Sequence, residues 1–327
     1  MSRWLSDSAV ERLREAADSP DLAGTRYRLI DKLGQGGMGG VFRVEDTALE
    51  RQVALKVISV GDRESDWPAR LLQEARVIAK LEHPGIVPVH DTGVLADGRP
   101  FYTMKLVQGK RLDEHVATIP GLSDRLRIFL RICDAVAFAH AHGVLHRDLK
   151  PGNVMVGPFG EVLVMDWGLS KLVGASRGAA AGPSGKNEAP VTEVVEQGTA
   201  HGSVLGTPGY MAPEQTRGEP SVDQRADIYS LGAVLQFLLA DALSQPIPRA
   251  LAAIRRQAMA ADSADRYSSV QELANDVAHF LDGLPVSAYP EGPLARAWRW
   301  IVRNRAWILL LLAYMVTRAL LIFFRPR

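Results

Sequence analysis

The sequence holds a single cysteine, Cys133, among 327 residues. An intrachain disulfide is therefore excluded, and so is a thiolate-rich zinc site. Cys133 lies in an apolar stretch, where a small buried hydrophobe is expected rather than a reactive thiol. Net charge is almost absent too: 38 basic residues face 37 acidic ones, for a formal +1. No chain-wide field for nucleic acid follows from that balance, and no nucleic-acid partner is expected. Fixed-period repeats are missing. The segment Met1 to Asp18 carries Asp7, Glu11, Arg12, Arg14 and Glu15 with no apolar core, so a signal peptide is not expected there. From Gly292 to Arg327 there are seven arginines and no acid, so this tail needs its own explanation.

What is present is a globular composition, 47% hydrophobic and 23% charged, enough for one large or two small cores. Residues 1–26 read as an amphipathic helical extension followed by the turn-rich Asp18-Ser19-Pro20-Asp21. From Tyr27 to Leu106, β-branched and aromatic runs predict strands at 27–33, 40–45, 52–60, 87–92 and 101–106. One helix interrupts them, 67–81, with Leu71, Leu72, Ala75, Ile78 and Leu81 at helical spacing. Beyond Gly109 the chain turns helical, over 122–142, 221–240, 250–259 and 269–281. Val173 to Ser203, rich in Gly, Ala, Ser and Pro, reads as a loop. The pattern describes an α+β chain with a small strand-rich lobe joined to a larger helical one, and a cleft between lobes is a usual ligand site.

Chemistry concentrates in His146-Arg147-Asp148-Leu149-Lys150-Pro151-Gly152-Asn153, followed by Asp166-Trp167-Gly168. Two acids, an amide and a lysine at this spacing suit the holding of magnesium and a nucleoside triphosphate while a hydroxyl is deprotonated. Upstream, Gly34-Gln35-Gly36-Gly37-Met38-Gly39-Gly40-Val41 joins two strands. A glycine run followed by strand rather than helix favours a hairpin over phosphates, its amides approaching oxygens that a Cβ would block. Val53-Ala54-Leu55-Lys56 lies on the next strand, where the lysine alone reads equally well as an exposed strand charge, and Glu74 lies within the following helix. His140, His142 and His146 form an H-x-H-x3-H spacing, but residues 140 and 142 point to different faces of a helix and no thiolate or acid completes a metal set.

These motifs resemble those of eukaryotic-type protein kinases, and the Lys-Pro after Asp148 resembles the serine/threonine branch. The likeness is nearest to bacterial, planctomycete-like kinases and runs over 27–284, with an N-lobe at 27–107 and a C-lobe at 108–284. It implies a protein-kinase-like bilobal fold that uses ATP and Mg2+. By that resemblance Asp148 accepts the substrate hydroxyl proton and Lys150 is the cation beside the transferring phosphoryl group. Asn153 and Asp166 hold the metal; Gly34, Gly36, Gly39, Val41, Ala54, Lys56 and Glu74 belong to the nucleotide site. Gly206 to Glu214 resembles the substrate-facing end of an activation segment, with Thr207 touching Asp148 and Lys150. Asp227 would brace the catalytic loop and Arg266 would pair with Glu214. Arg147 would meet a phosphate on the activation segment, with Thr199 and Ser203 as acceptors before Thr192.

Two departures stand out. Between Asp241 and Pro248 the chain is shorter than the family's usual segment, which bears on protein-substrate docking and keeps a nucleotide-binding pseudokinase scaffold as the alternative. The other is the tail: 285–305 reads as a basic juxtamembrane segment and 306–324 as a membrane-crossing helix, about 28 Å long, with Arg318 toward one end where it can snorkel; a helix lying on the membrane surface and a hydrophobic end docked on the protein are the alternatives. Arg296, Arg299, Arg303 and Arg305 before it would keep the kinase side cytoplasmic. The expectation is thus a single-pass, membrane-anchored serine/threonine kinase acting on proteins, autophosphorylating, with homodimer formation serving that step.

Overall fold

The computed structural model describes residues 19–36, 39–58, 67–119, 121–167, 171–172, 209–219, 222–240, 246–290, 292, 301 and 304–323. The small lobe is a five-stranded antiparallel sheet: β1 (Tyr27–Gly36), β2 (Gly39–Asp46), β3 (Arg51–Ile58), β4 (Val89–Val94) and β5 (Pro100–Lys105), in the order β1-β2-β3-β5-β4. Each strand sits within a few residues of its sequence-predicted span.

Alternation decides which face each side chain serves. Val53, Leu55 and Val57 of β3 join Tyr27, Phe42, Val44, Leu95 and Phe101 in a core on one face. On the other face Ile58 and Tyr102 pack beneath α1 (Trp67–Ile78) through Leu71 and Ala75. β3 is therefore buried on both faces from Val53 onward, which its unbroken apolar run allows, with Lys56 as the exception. α1 stops at Ile78 rather than Leu81. Residues 79–81 close as turns, and Pro84 disfavours helical geometry at His83 just before it.

The large lobe begins with the two-residue strand β6 (Lys110–Arg111) and the single turn α2 (Leu112–His115). Its centre is α3 (Leu122–Ala141), whose Leu126, Phe129, Cys133 and Val136 are fully buried. Burial pushes the Cys133 thiol's pKa far up, as expected of an inert hydrophobe. Short strands β7 (Val144–Leu145), β8 (Val154–Val156), β9 (Val162–Val164) and β10 (Lys171–Leu172) frame two loops between them. β6, β8 and β9 make one small sheet, and β7 pairs with β10. After α4 (Pro213–Thr216) comes α5 (Gln224–Ala240), apolar around most of its circumference and correspondingly interior. α6 (Arg249–Ala258) and α7 (Val270–Leu281) complete the lobe.

Several sequence expectations lie outside the described residues: the 1–18 part of the extension, Gly37, Met38, Gly168, the segment 173–208 with Thr192, Thr199, Ser203 and Thr207, and positions 241–245 of the shortened stretch.

The end of the domain is fastened. Asp276 on α7 accepts hydrogen bonds from Tyr267 Oη at 2.9 Å, Ser287 N at 2.7 Å, Ser287 Oγ at 2.8 Å and Ala288 N at 3.0 Å. Farther on, α8 (Arg305–Phe323) presents Trp307, Leu309, Leu310, Leu311, Leu312, Tyr314, Met315 and Val316 exposed. The expected membrane-crossing helix over 306–324 is not supported: among the described residues, no helix is long and apolar enough to cross a membrane. Arg318 interrupts the apolar run. Only 12 residues lie between Arg305 and Arg318, against the roughly 20 apolar residues that a span requires.

Candidate active site

A single row across the small sheet aligns the first group of residues. Gly34 on β1 pairs with Val41 on β2, Val41 with Lys56 on β3, and Lys56 with Tyr102 on β5. Residues in register share a face, and Ala54, two positions from Lys56, shares it too. Val41, Ala54 and Lys56 thus line one surface beneath the hairpin. Gly36 pairs with Gly39 where β1 turns into β2. Gly39 has φ of +149°, and a Cβ there would lie 2.0 Å from the Val57 carbonyl oxygen, so the β1–β2 hairpin closes onto β3 only with glycine.

Lys56 is the junction of the lobes. Its Nζ donates to Glu74 Oε1 at 2.9 Å, to Glu74 Oε2 at 3.2 Å and to Asp166 Oδ1 at 3.0 Å. Glu74 reaches it because the α1 face that buries Leu71, Ala75 and Ile78 also carries residue 74. Burial pulls the Lys56 pKa down, but the Tyr102 oxygen and the Glu74 and Asp166 carboxylates outweigh it and hold the ammonium well above its ordinary value. Asp166 is the reverse case: burial raises its pKa, and Lys56 more than offsets this, keeping it an anion.

The second group comes from the loop between β7 and β8. Lys150 Nζ donates to Asp148 Oδ2 at 2.9 Å, and Asn153 Nδ2 donates to the Asp148 carbonyl at 2.8 Å and to Asp148 Oδ2 at 3.3 Å. His146 Nδ1 accepts the Asp148 N–H at 3.3 Å, so its Nε2 carries the proton donated to the Met165 carbonyl at 2.9 Å. The His146 ring lies 4.7 Å from the fully buried Trp167. Met165 N donates back to Asn153 O at 2.8 Å. These bonds stitch the Asp148 loop to the Asp166 loop.

Both loops are bent where it matters. Arg147 has φ of +67° and Asp166 of +56°, conformations that cost a non-glycine residue about 1–3 kcal/mol and persist only where the surroundings enforce them. Asp227, fully buried on α5, accepts the backbone N–H of His146 and of Arg147, each at 2.8 Å, and His140 Nε2 approaches it at 2.7 Å. Gln215 Nε2 donates to the Arg147 carbonyl at 3.0 Å from the other side. Arg266 donates to Glu214 through Nη1 at 2.6 Å and Nη2 at 2.8 Å, fixing the neighbouring α4.

The structure therefore brings Lys56, Glu74 and Asp166 into contact, and Asp148, Lys150 and Asn153 into a second contact group tied to the first through the Met165–Asn153 and His146–Met165 bonds. Sequence reasoning missed Tyr102, whose hydroxyl donates to Glu74 Oε1 at 2.9 Å, and the bracing residues His140 and Gln215. Tyr102 stands in register with Lys56 and could have been found that way; the other two leave no local signal.

The donor set fits magnesium and a triphosphate. Asp166 Oδ2 and the Asn153 side-chain oxygen accept no hydrogen bond among the described residues, and hard oxygen donors from one or two side chains are what a Mg2+ that also takes phosphate oxygens uses. No cluster of three or more His, Cys, Asp or Glu suited to a metal is found among the described residues, so no all-protein cage competes with that arrangement.

Residues 27–287 match the family model described as "Protein kinase domain". The chain is 35% identical over 304 residues to the serine/threonine-protein kinase PknD of Protochlamydia amoebophila, covering 79% of this chain and 30% of that protein. With PknD of Chlamydia felis it shares 35% identity over 307 residues, 80% of this chain and 31% of that one. It thus spans about a third of the length of these curated relatives. Among solved structures, the Mycobacterium tuberculosis PknI kinase domain is 27% identical with a TM-score of 0.56, covering 78% of this chain and 95% of that one.

Proposed function

The chain belongs to the protein kinase domain family, in its bacterial serine/threonine branch, and on that premise we propose that it transfers the γ-phosphoryl group of ATP to serine and threonine hydroxyls of proteins, its own included. The observation that carries this reading is the double engagement of Lys56 by Glu74 and Asp166, which joins the helix of the small lobe to the metal-binding loop of the large one. A nucleotide-binding scaffold without turnover has no need of that assembly, so the catalytic reading is preferred.

Lys56 serves the α- and β-phosphates, and Glu74 holds it extended toward them. Asp166 and Asn153 are the magnesium ligands. Asp148 accepts the proton of the acceptor hydroxyl. Lys150, 2.9 Å from that carboxylate, neutralises charge that builds on the transferring group. ATP with magnesium, when bound, supplies the phosphoryl group and its electrophilic activation. Val41 and Ala54 form the apolar surface against the base, while Gly34, Gly36 and Gly39 shape the hairpin above.

The exposed apolar helix α8 supports a further part of the reading: the protein is held at a membrane, kinase domain in the cytoplasm, with the arginines at 296, 299, 303 and 305 against anionic headgroups. Autophosphorylation between two copies is the role of a homodimer.

The full chain, incubated with labelled ATP and magnesium beside Asp148→Ala, tests the activity. Incorporation only by the unaltered protein is expected, and equal incorporation by both sinks the reading. Flotation with anionic vesicles, with and without residues 305–327, tests the attachment; equal flotation rejects it.

A further inference from the structure

A charged pair sits at the mouth of the site with no part in the phosphate chemistry above. Arg111, on β6, is paired in register with Met155 on β8, two residues beyond Asn153. That register lays the arginine over the turn Pro151–Asn153 which ends the Asp148 loop. The contact is close. A Cβ added to Gly152 would lie 2.5 Å from Arg111 Nη2, so the guanidinium occupies the space where a side chain of residue 152 would project. On its other side Arg111 donates to Asp113, from Nε at 3.2 Å and Nη2 at 2.7 Å. Asp113 in turn is near enough to Tyr210, within the segment expected to face substrate, to help burial raise the pKa of that hydroxyl. The pair therefore stands between the loop bearing Asp148 and the segment expected to face substrate.

Its unspent capacity is of one sign. A guanidinium has five N–H donors, and Asp113 takes two of them, while a bidentate arginine already meets the carboxylate of Asp113 on both oxygens. Arg111 is half-exposed and its neighbour Lys110 is exposed. What remains open to a polypeptide lying over the Pro151–Asn153 turn is a set of cationic donors, held there because the glycine at 152 leaves room for the guanidinium.

Resting on the protein kinase reading, we propose that Arg111 is a specificity-determining residue that selects protein substrates carrying a carboxylate side chain close to the phosphorylated hydroxyl. It binds that carboxylate with donors Asp113 leaves unused, and Lys110 adds charge of the same sign.

The test uses the full chain, ATP and magnesium, and three peptides with one acceptor hydroxyl flanked by glutamates, by alanines or by lysines. The glutamate peptide is expected to show kcat/KM about tenfold above the alanine peptide, the scale of one charge-assisted hydrogen bond. Arg111→Gln should abolish the preference with the KM for ATP unchanged. Gly152→Glu, which places a carboxylate against the guanidinium, should abolish it independently. Equal kcat/KM for the three peptides, or a glutamate preference that survives in both variants, overturns the proposal. Failure to phosphorylate any of the peptides, or the chain itself, instead removes the kinase reading on which it rests.

Discussion

Tyr102 and Lys56 converge on the same atom: the tyrosine hydroxyl and the lysine ammonium each donate to Glu74 Oε1 at 2.9 Å. The carboxylate on α1 is thus held from two neighbouring strand positions, one of which carries no charge. Glu74 can hold Lys56 in place only while its own carboxylate is fixed, and Tyr102 is a second residue that fixes it.

Tyr102→Phe removes one buried donor to a charged group while Lys56 still satisfies it. The cost to stability should be about 1–2 kcal/mol, read by urea unfolding. Activity should fall several-fold through kcat more than through the KM for peptide, since the variant loosens α1 without touching the substrate surface. An unchanged kcat would assign Tyr102 to packing alone.

At Gly39 the expected change is in nucleotide binding. A methyl group there meets the Val57 carbonyl oxygen at 2.0 Å, and the neighbour is backbone, so the hairpin must lift from β3. Gly39→Ala should raise the KM for ATP about tenfold or more, with smaller effects on peptide binding. Steady-state kinetics with each substrate varied separates the two.

Asp227 gives a pH signature. Burial raises its pKa, and the hydrogen bond and charge of His140 with the Arg147 N–H bring it below the ordinary carboxylate range. A folded-state pKa below the unfolded one contributes stability that is present above about pH 4 and is lost as pH falls through the depressed value. Asp227→Asn should therefore be less stable than the unaltered protein by about 3 kcal/mol at neutral pH. The gap should narrow as pH drops below about 4, measured by urea unfolding at a series of pH values. A gap independent of pH would mean that geometry rather than charge holds the loop.

The Arg266–Glu214 pair is buried and bidentate, so removing one partner strands the other. Arg266→Ala should cost about 3–5 kcal/mol, whereas a simultaneous Glu214→Gln should recover part of it. A double-mutant cycle by thermal unfolding measures the recovery, and additive losses would contradict the coupling.

The candidate site residues are legible in the sequence, because Lys56, Asp148, Asn153 and Asp166 are the side chains, at the spacing, that the proposed phosphate chemistry would need, and the structure brings them into two linked contact groups. The longer strands and helices are legible as well, from alternation and helical spacing. Strands of two or three residues, such as Lys110–Arg111 and Val144–Leu145, are too short to show a period, so the scaffold framing the Asp148 loop leaves no pattern to read. Nor do the braces. His140 and Gln215 act on residues 87 and 68 positions away, and nothing local marks a helical histidine as the partner of a distant aspartate. In the tail, the apolar run 306–324 and its flanking arginines read as a span, whereas no helix among the described residues is long and apolar enough to cross a membrane.

The four hydrogen bonds gathered by Asp276 have a consequence for how the lobe comes apart. One carboxylate holds Tyr267, ahead of α7, and Ser287 and Ala288, after it, so both approaches to the last helix of the lobe are released together or not at all. The C-terminal boundary of the domain then opens as one cooperative unit rather than fraying residue by residue.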